Sequence, residues 1–250
     1  MTTLKKLIPT STKLRYWRWL EDRRLMREFG VSNVKYAREL DYWRSRWESS
    51  AGRFENEFYE RIFLAMAGEA DAAFCADRIV ADFGCGPRGS LNWLTTSRVN
   101  IGIDVLANGY SRFGIARHNM CYVCATERTI PLPSNYVDVL FTLNAIDHVD
   151  NFETICEECL RILAAGGTLV GSFNMYERPT ACEPQCLTED MIERHLLRFL
   201  KVQTYRLVPQ GPKDDRYRYC FSGQPVKGVQ SAPSDMSALK ILWVRADKTA

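Results

Sequence analysis

The sequence predicts an α/β protein, with a mostly parallel sheet, helices on both faces and a helical extension at the N-terminus. Three observations lead to this fold class. The stretch Arg78–Phe83 is short, apolar and β-branched, as buried strands are, and it runs directly into a glycine-rich turn. A second short strand, Val99–Ile103, ends in Asp104. Further short apolar runs then alternate with segments of helical spacing, as in strand–helix–strand units.

Length and composition fit one such domain with an extension. The chain has 250 residues, of which 46% are apolar and 25% charged, which is ordinary for a globular protein. We expect an N-terminal helical extension or lid over residues 1–69 and the main domain over residues 70–250. A net charge of only +3 argues against nucleic-acid binding by bulk charge. We find no apolar run long enough to span a membrane and no signal-peptide core, so we expect a cytoplasmic protein.

The N-terminal 30 residues are basic and carry the aromatic residues Tyr16, Trp17 and Trp19. Such a helix is suited to peripheral contact with an anionic membrane surface or to an acidic or glycan-like substrate. It can equally pack its aromatic rings on the main domain or on a second subunit. The irregular apolar spacing from Leu14 to Phe29 favours packing.

Two further helices are expected before the first strand. Ser32 is a candidate cap for a helix over Asn33–Trp47, which carries an aromatic face at helical spacing: Tyr36, Leu40, Trp43 and Trp47. A second helix over Phe54–Gly68 should turn four residues inward: Phe54, Phe58, Ile62 and Met66.

The glycine-rich turn after the first strand has the features of a ligand-binding loop. Gly84 and Gly86 can adopt backbone angles that a side chain forbids, and they allow a close approach to a ligand. We expect a helix from near Ser90, whose free amides would face the loop. Asp104 follows about 20 residues later, a spacing that places a carboxylate on ribose hydroxyls.

The remaining elements continue the alternation. Later strands are expected over five ranges: Met120–Ala125, Val137–Leu143, Thr168–Phe173, Leu200–Val208 and Leu239–Ala246. Helices are expected over Ala107–His118, over Asn151–Leu163 with Gly166-Gly167 closing it, and from Thr188 onward. Between the last two strands, Gln210 to Asp235 is rich in Gly, Pro and Ser. Tyr217, Tyr219 and Phe221 alternate there, which suggests a short extra strand or a flap.

Four segments together resemble a known superfamily. Asp82-Phe83-Gly84-Cys85-Gly86 resembles motif I of the class I S-adenosylmethionine-dependent methyltransferases, and Asp104 matches their ribose-binding acid. Ile130-Pro131-Leu132 followed by Tyr136-Val137-Asp138-Val139 resembles their "LPF…FD" segment, and Leu160–Gly167 resembles their "RvLkPGG" turn. The sequence is most similar to the small-molecule branch that includes the quinone-biosynthesis, or type 11, enzymes. A dinucleotide-binding loop of the NAD type is the alternative.

The resemblance implies a seven-stranded Rossmann-like sheet ending in a hairpin, with S-adenosylmethionine as the cofactor. It implies a set of cofactor-binding residues: Asp82, Gly84, Cys85, Gly86, Asp104, Val105, Thr126, Glu127 and Asn144. One position departs from the family pattern, since Arg88 stands where a third glycine is usual. Arg88 can pair with the methionine carboxylate or lie on the surface, and we favour the surface.

A polar cluster, Asn144 to Asp150, follows the fourth strand, where open parallel sheets bind ligands. His148 and Asp147 are the candidate catalytic residues, with His148 as a general base. The alternative is that His148 caps or packs the next helix or lines the cofactor. Six residues on the covering helices and on the loop after the fifth strand are candidate acceptor contacts: Tyr42, Trp43, Asn174, Tyr176, Glu183 and Gln185.

The expected reaction is methyl transfer to a small molecule, with the oxygen of a sugar or polar lipid precursor as first choice and a quinone-type ring as second. A non-catalytic cofactor-binding protein is the competing class. The cysteine pairs Cys121/Cys124 and Cys156/Cys159 have the spacing of zinc ligands. A strand would point the first pair to opposite faces, and the second lies on an apolar helix stripe, so we expect core packing and no metal. The oligomeric state is not predicted.

Overall fold

The computed structural model describes residues 10–222 and 239–249, with side chains from residue 13 onward. Half of the predicted flap between the last two strands, residues 223–235, therefore lies outside the described residues. Two compact units divide the chain, Met1–Arg53 and Phe54–Ala250. The boundary that we expected between residues 69 and 70 stays a prediction.

The smaller unit contains the helices α1 (Thr10–Phe29) and α2 (Val34–Ser49). Asn33, rather than Ser32, caps α2, because its side chain accepts a hydrogen bond from the amide of Lys35 at 2.9 Å. The two helices are joined by a bidentate ion pair, in which Arg38 donates to both carboxylate oxygens of Asp22 at 2.8 Å.

The aromatic residues of α1 are not packed. Tyr16, Trp17 and Trp19 are 56%, 66% and 49% exposed. The expectation that they pack on the main domain or on a second subunit stays a prediction. The side of α1 that is buried instead carries Leu25 and Phe29.

The larger unit is built on one seven-stranded sheet. Its strands are β1 (Ile79–Phe83), β2 (Val99–Asp104), β3 (Cys121–Cys124), β4 (Val137–Leu143), β5 (Leu163–Met175), β6 (Leu200–Pro209) and β7 (Lys240–Lys248). Their order in the sheet is β3-β2-β1-β4-β5-β7-β6. The strands β1 to β5 are parallel, and β7 is antiparallel to both of its neighbours. This confirms the predicted mostly parallel sheet and its final hairpin.

Both faces of the sheet are covered. On one face the core includes residues of α4 (Phe152–Ile162) and α5 (Glu189–His195). On the other it includes residues of α3 (Phe58–Ala67) and α6 (Arg218–Ser222). Cys156 and Cys159 are buried on the inner side of α4, as the apolar stripe predicts. Cys121 is exposed and Cys124 half-buried, so the expectation of core packing is wrong for Cys121.

Several expected helix boundaries are wrong. The helix α3 begins at Phe58 instead of Phe54, and Tyr59 rather than Phe58 is buried. The segment Ala107–His118 forms two short 3-10 turns because Gly114, at φ +71°, interrupts it. This segment therefore contributes no α-helix that covers the sheet.

Two later elements also differ from expectation. The helix α4 ends at Ile162, one residue before the expected end, and Gly166-Gly167 lies inside β5 instead of closing the helix. The amide of Tyr136 donates to the Ile162 carbonyl at 2.8 Å, and β5 starts at the next residue. The alternating aromatics Tyr217, Tyr219 and Phe221 belong to a helical segment around α6 rather than to a strand.

Candidate active site

The carboxyl ends of β1, β2, β4 and β5 lie along one edge of the sheet because these strands are parallel neighbours. Open parallel sheets bind ligands at this edge. The glycine loop Gly84–Gly86 follows β1, Asp104 ends β2, and the turn from Asn144 to Val149 follows β4. The topology thus brings most of the predicted site residues to one edge.

The glycine loop is held closely between its neighbours. The amides of Gly84 and Cys85 donate to the carbonyl of Ile103 at 2.8 and 3.4 Å. Gly84 has φ +74°, and a Cβ atom there would lie 2.1 Å from the Cβ of Ala145. Glycine is therefore required at position 84 by the turn after β4 as well as by the backbone angle.

Asp104 organises the same loop. One of its carboxylate oxygens accepts from the amide of Gly86 at 3.0 Å and the other from the amide of Leu106 at 2.9 Å. Burial raises the pKa of Asp104, and these hydrogen bonds, together with one from the side chain of Tyr110, oppose that rise. Each carboxylate oxygen can accept a second hydrogen bond, so the predicted ribose contact stays compatible with this geometry.

Asp82, the last residue but one of β1, and Cys85, within the loop, are both buried. Ser90 donates to one oxygen of Asp82, and the other oxygen has no hydrogen-bond partner in the described part of the chain. Burial raises the pKa of Asp82 to about 8, and the neighbouring Asp104 adds to the rise. Burial also raises the pKa of the Cys85 thiol, so this side chain is a neutral packing group rather than a thiolate nucleophile.

The helix that we expected from near Ser90 is absent, since residues 87–98 form turns and bends. The side chain of Asn100 explains why. Its amide nitrogen donates to the carbonyls of Leu91, Leu94 and Asn119 at 3.4, 2.8 and 3.0 Å. Two of these carbonyls would otherwise belong to the helix. No helix N-terminus therefore faces the glycine loop.

Arg88 is partly exposed, and its pairing with the methionine carboxylate stays a prediction. Its guanidinium donates to the carbonyl of Glu55 at 3.1 and 2.6 Å and lies 4.7 Å from the ring centre of Phe58. Arg88 therefore anchors the segment before α3 to the glycine loop.

The loop after β3 uses its polar side chains internally. Thr126 accepts from the amides of Arg128 and Thr129 at 3.2 and 2.9 Å. Glu127 accepts from the amide of Asp150 at 3.1 Å, which ties this loop to the turn after β4. Val105 accepts from the thiol of Cys124 through its carbonyl at 3.4 Å. Adenine contact by this loop stays a prediction.

The turn after β4 carries the two candidate catalytic residues. Asp147 is buried, and both of its carboxylate oxygens have no hydrogen-bond partner among the described residues. Burial raises the pKa of Asp147, while the neighbouring His148 opposes the rise. His148 is half-buried, and its Nε2 lies 3.6 Å from a carboxylate oxygen of Glu183. The arrangement is that of an imidazole next to an orienting carboxylate.

The loop after β5 is docked onto this turn. Gln185 donates through its backbone amide to the Asp147 carbonyl at 3.2 Å and through its side chain to the Val149 carbonyl at 2.9 Å. These bonds bring Glu183 to His148. Of the candidate acceptor contacts in this region, Glu183 thus lies beside His148, and Gln185 binds the turn after β4.

Tyr176 and Asn174 have contrasting surroundings. The hydroxyl of Tyr176 donates to Glu189 at 2.9 Å, on the same carboxylate that accepts from Tyr205 at 2.7 Å. Asn174 is buried, and its side-chain oxygen has no hydrogen-bond partner within the described residues. Asn174 is thus the better placed of the two to receive a polar ligand group.

A hydrogen-bond chain that sequence reasoning missed crosses the edge of the sheet. The indole of Trp243 donates to Ser172 at 3.1 Å, and the hydroxyl of Ser172 donates to the side-chain oxygen of Asn144 at 3.0 Å. The amide nitrogen of Asn144 then donates to the hydroxyl of Tyr217. Burial raises the pKa of Tyr217 to about 12. No local pattern marks Tyr217, because its partner is far away in the sequence.

Two predicted site residues lie in the smaller unit. Tyr42 is exposed, with the guanidinium of Arg46 5.4 Å from its ring centre, and it makes an edge-on contact with Trp43. Their role as a lid stays a prediction.

One cavity of about 430 Å³ lies away from the predicted site. It is lined by Ala65–Gly68, Gln203–Arg206, Trp243, Arg245 and Asp247. None of the residues that follow β1, β2 or β4 lines it. Among the described residues, no three His, Cys, Asp or Glu side chains are grouped to hold a metal ion, and no helix is both long and apolar enough to cross a membrane.

Comparison with known proteins agrees with this architecture. Residues 81–171, from β1 into β5, match the family described as a methyltransferase domain. Over these residues the chain is similar to a methyltransferase domain. No curated protein matches the sequence.

Solved structures share the fold of the methyltransferase domain at low sequence identity. One is a methyltransferase of Haloferax volcanii in complex with the Trm112 methyltransferase activator, with a TM-score of 0.58, 15% identity and coverage of 85% of this chain and 96% of that one. Another is the geranyl diphosphate C-methyltransferase of Streptomyces coelicolor A3(2), with a TM-score of 0.52, 16% identity and coverage of 82% and 78%. The cyclase SpnF has a TM-score of 0.53, 15% identity and coverage of 76% and 82%. At these identities the likeness establishes the fold alone.

Proposed function

We propose that this S-adenosylmethionine-dependent methyltransferase acts on a hydroxylated small molecule and transfers the methyl group to oxygen. The observation that carries the proposal is the pair of His148 and Glu183, 3.6 Å apart, at the edge that also carries the glycine loop and Asp104. An oxygen acceptor must lose a proton during transfer, and a carboxylate-oriented imidazole can receive it.

The residues at this edge fit S-adenosylmethionine chemically. The cofactor presents an ammonium group and ribose hydroxyls, which are donors. Asp82 and Asp147 hold buried oxygen atoms with no partner in the described part of the chain, and Asp104 keeps lone pairs beyond its two amide bonds. A cationic donor is what such buried carboxylates require. S-adenosylmethionine is therefore the cofactor that we assign to this site.

The bound cofactor supplies a methyl group that is carried by a positively charged sulfur. After the transfer, the sulfur remains in the product as a neutral thioether. The chain's own residues would align the acceptor, exclude water and receive the proton. With Glu183 beside its Nε2, the imidazole of His148 would take the hydroxyl proton. Glu183 is then a positioning residue rather than the acceptor contact that we expected, and Gln185 holds its loop.

The hydroxylated acceptor is supported by Asn174, whose buried side-chain oxygen has no partner among the described residues. Such an oxygen would accept from an acceptor hydroxyl and disfavour an apolar ring. A sugar or polar lipid precursor fits this polarity better than a quinone-type ring.

A second candidate is a cofactor-binding protein without methyl transfer. The observation in its favour is that the glycine loop departs from the family pattern at Arg88, whose guanidinium donates to the Glu55 carbonyl. The related fold of SpnF belongs to a cyclase, so this fold does not by itself establish methyl transfer.

Calorimetric titration with S-adenosylhomocysteine, with NADH as the control, tests the cofactor assignment. We expect micromolar binding of the first and none of the second. Binding of NADH alone would contradict the assignment. Screening of sugars, polar lipids and quinols with labelled S-adenosylmethionine then identifies the acceptor class.

Replacement of His148 tests the base. We expect His148→Ala to lower kcat by about 10²- to 10⁴-fold while the affinity for S-adenosylhomocysteine stays nearly constant. His195→Ala is the matched control, because His195 also faces a glutamate, Glu153, at 3.7 Å but lies on α5. Full activity of His148→Ala would remove the role.

A further inference from the structure

The first half of α1 carries an exposed aromatic face, formed by Tyr16, Trp17 and Trp19 with the half-buried Leu20 beside them. Tyr16, Trp19 and Leu20 share one side of the helix because they are spaced three and four residues apart. The rings of Tyr16 and Trp19 stack with their centres 6.0 Å apart, and Tyr16 meets Trp17 edge-on at 6.1 Å. An exposed cluster of large rings is a mark of an interaction surface.

The aromatic face points away from α2. The side of α1 that packs on α2 carries Asp22, Leu25 and Phe29, again at helical spacing. Leu25 and Phe29 are buried, and Asp22 is bound by Arg38 of α2. The hairpin therefore leaves the aromatic face uncovered.

Charge distinguishes this part of the chain from the rest. Residues 1–20 contain five cationic side chains and no acidic one, namely Lys5, Lys6, Lys13, Arg15 and Arg18. Because the whole chain has a net charge of +3, the remainder carries a net charge of −2. The first two lysines precede the described residues. Within the described part, Arg15 and Arg18 are exposed and make no ion pair.

We propose that the aromatic face of α1 docks on an anionic lipid surface. Tryptophan and tyrosine rings are favoured at the boundary between headgroups and acyl chains, and cations beside them are attracted to anionic headgroups. The rings and Leu20 would enter the boundary, and Arg15, one turn before Trp19, would reach the phosphates. Arg18 lies one turn before Asp22 on the other side and adds to the positive field that attracts the anionic headgroups.

Two other occupants fit less well. A second copy of the chain would bring a second set of five cations to the same surface, and like charges repel. A nucleic acid would meet the cations, but it would leave Leu14, which is 64% exposed, in water. A lipid surface satisfies both the charges and the apolar side chains.

Co-sedimentation of the full chain with phosphatidylserine-containing vesicles, compared with phosphatidylcholine vesicles, tests the proposal. We expect binding to the first only, with quenching of tryptophan fluorescence by brominated acyl chains. Trp17→Ala with Trp19→Ala should abolish the quenching. Arg15→Glu with Arg18→Glu should weaken binding at least tenfold, since each cation near an anionic surface contributes roughly a fivefold factor.

Arg117→Glu with Lys201→Glu is the charge-matched control, because both residues are exposed on the larger unit; it should bind as the wild type does. Circular dichroism checks that each variant keeps its helix content. Three results would overturn the proposal: equal binding to both vesicle types, unchanged binding of the Arg15/Arg18 variant, or binding to single-stranded RNA without vesicle binding. Dimerisation that buries tryptophan in the absence of vesicles would also overturn it.

Discussion

At the scale of single residues, Gly84 shows why a glycine occurs at a given position. Its backbone amide donates a hydrogen bond to the Ile103 carbonyl in β2, and its φ is +74°. The Cβ of Ala145 occupies the space that a side chain at position 84 would need. The sequence predicts the unusual backbone angle from the glycine-rich pattern. It does not predict the neighbour, which comes from a turn about 60 residues later.

Replacement of Gly84 by alanine should therefore be far more costly than the backbone angle alone explains. Gly166 is the matched control, because it also has φ +74° but has no atom within 4 Å of the place that a Cβ atom would take. We expect Gly166→Ala to cost about 1–2 kcal/mol and Gly84→Ala about 1–3 kcal/mol more. Urea unfolding measures both, and equal costs would contradict the close approach.

Asp82 gives stability a pH dependence. Its pKa of about 8 in the folded chain, raised first by burial, compares with an ordinary value of about 4 in the unfolded chain. Between these values the folded state binds a proton that the unfolded state lacks, so stability falls as the pH rises from about 4 to 8.

Asp82→Asn should remove this contribution. The asparagine oxygen can still accept from Ser90, but the side chain does not titrate. Relative to the variant, we expect the wild type to lose on the order of a few kcal/mol between pH 4 and pH 8, with the free energies of unfolding compared by urea titration at each pH. A difference that stays flat over this range would show that Asp82 is ionised throughout.

At the scale of elements, the glycine loop of this chain is supported by an arginine rather than by a following helix. The expected helix fails because Asn100 takes the carbonyls of Leu91 and Leu94. Arg88 instead fastens the loop to the segment before α3 through the Glu55 carbonyl. Helix propensity and the family pattern could not show the contact between Arg88 and Glu55, since these two residues are distant in sequence.

Arg88→Ala should thus destabilise the fold rather than weaken cofactor binding. Loss of the bonds to Glu55 and of the contact with Phe58 should cost about 1–2 kcal/mol. The control is Arg98→Ala, whose ion pair with Asp138 at 3.3 Å lies on the surface and should contribute less than about 1 kcal/mol. A tenfold loss of S-adenosylhomocysteine affinity with unchanged thermal stability would indicate the methionine carboxylate as its partner instead.

At the scale of the whole molecule, the sequence predicts the sheet well and the site less well. The strand β4 occurs over the expected residues because a short apolar run bounded by turn residues is typical of a buried strand. The side-chain roles of Gln185, Glu183 and Tyr217 depend on which loops meet at the edge of the sheet. That meeting is set by topology, so only the position of these residues, not their partners, could be inferred.

The chain of hydrogen bonds from Trp243 to Tyr217 links β7, β5, the turn after β4 and the segment around α6. Tyr217→Phe would leave the amide nitrogen of Asn144 without its acceptor, at a cost of about 1–3 kcal/mol. Tyr219→Phe is the control, because Tyr219 is exposed and should be neutral. Thermal unfolding distinguishes the two variants; equal melting temperatures would mean that the chain of bonds contributes nothing.

The position of β7 has a consequence for the order of assembly. This strand is the last of the seven in sequence, yet it lies between β5 and β6. During synthesis β6 must therefore wait without its neighbour until β7 has emerged, whereas β1 to β5 can pair as they appear. We expect the β6 side of the sheet to be the slowest part to become protected from hydrogen exchange during refolding, because closing it requires the most distant pairings.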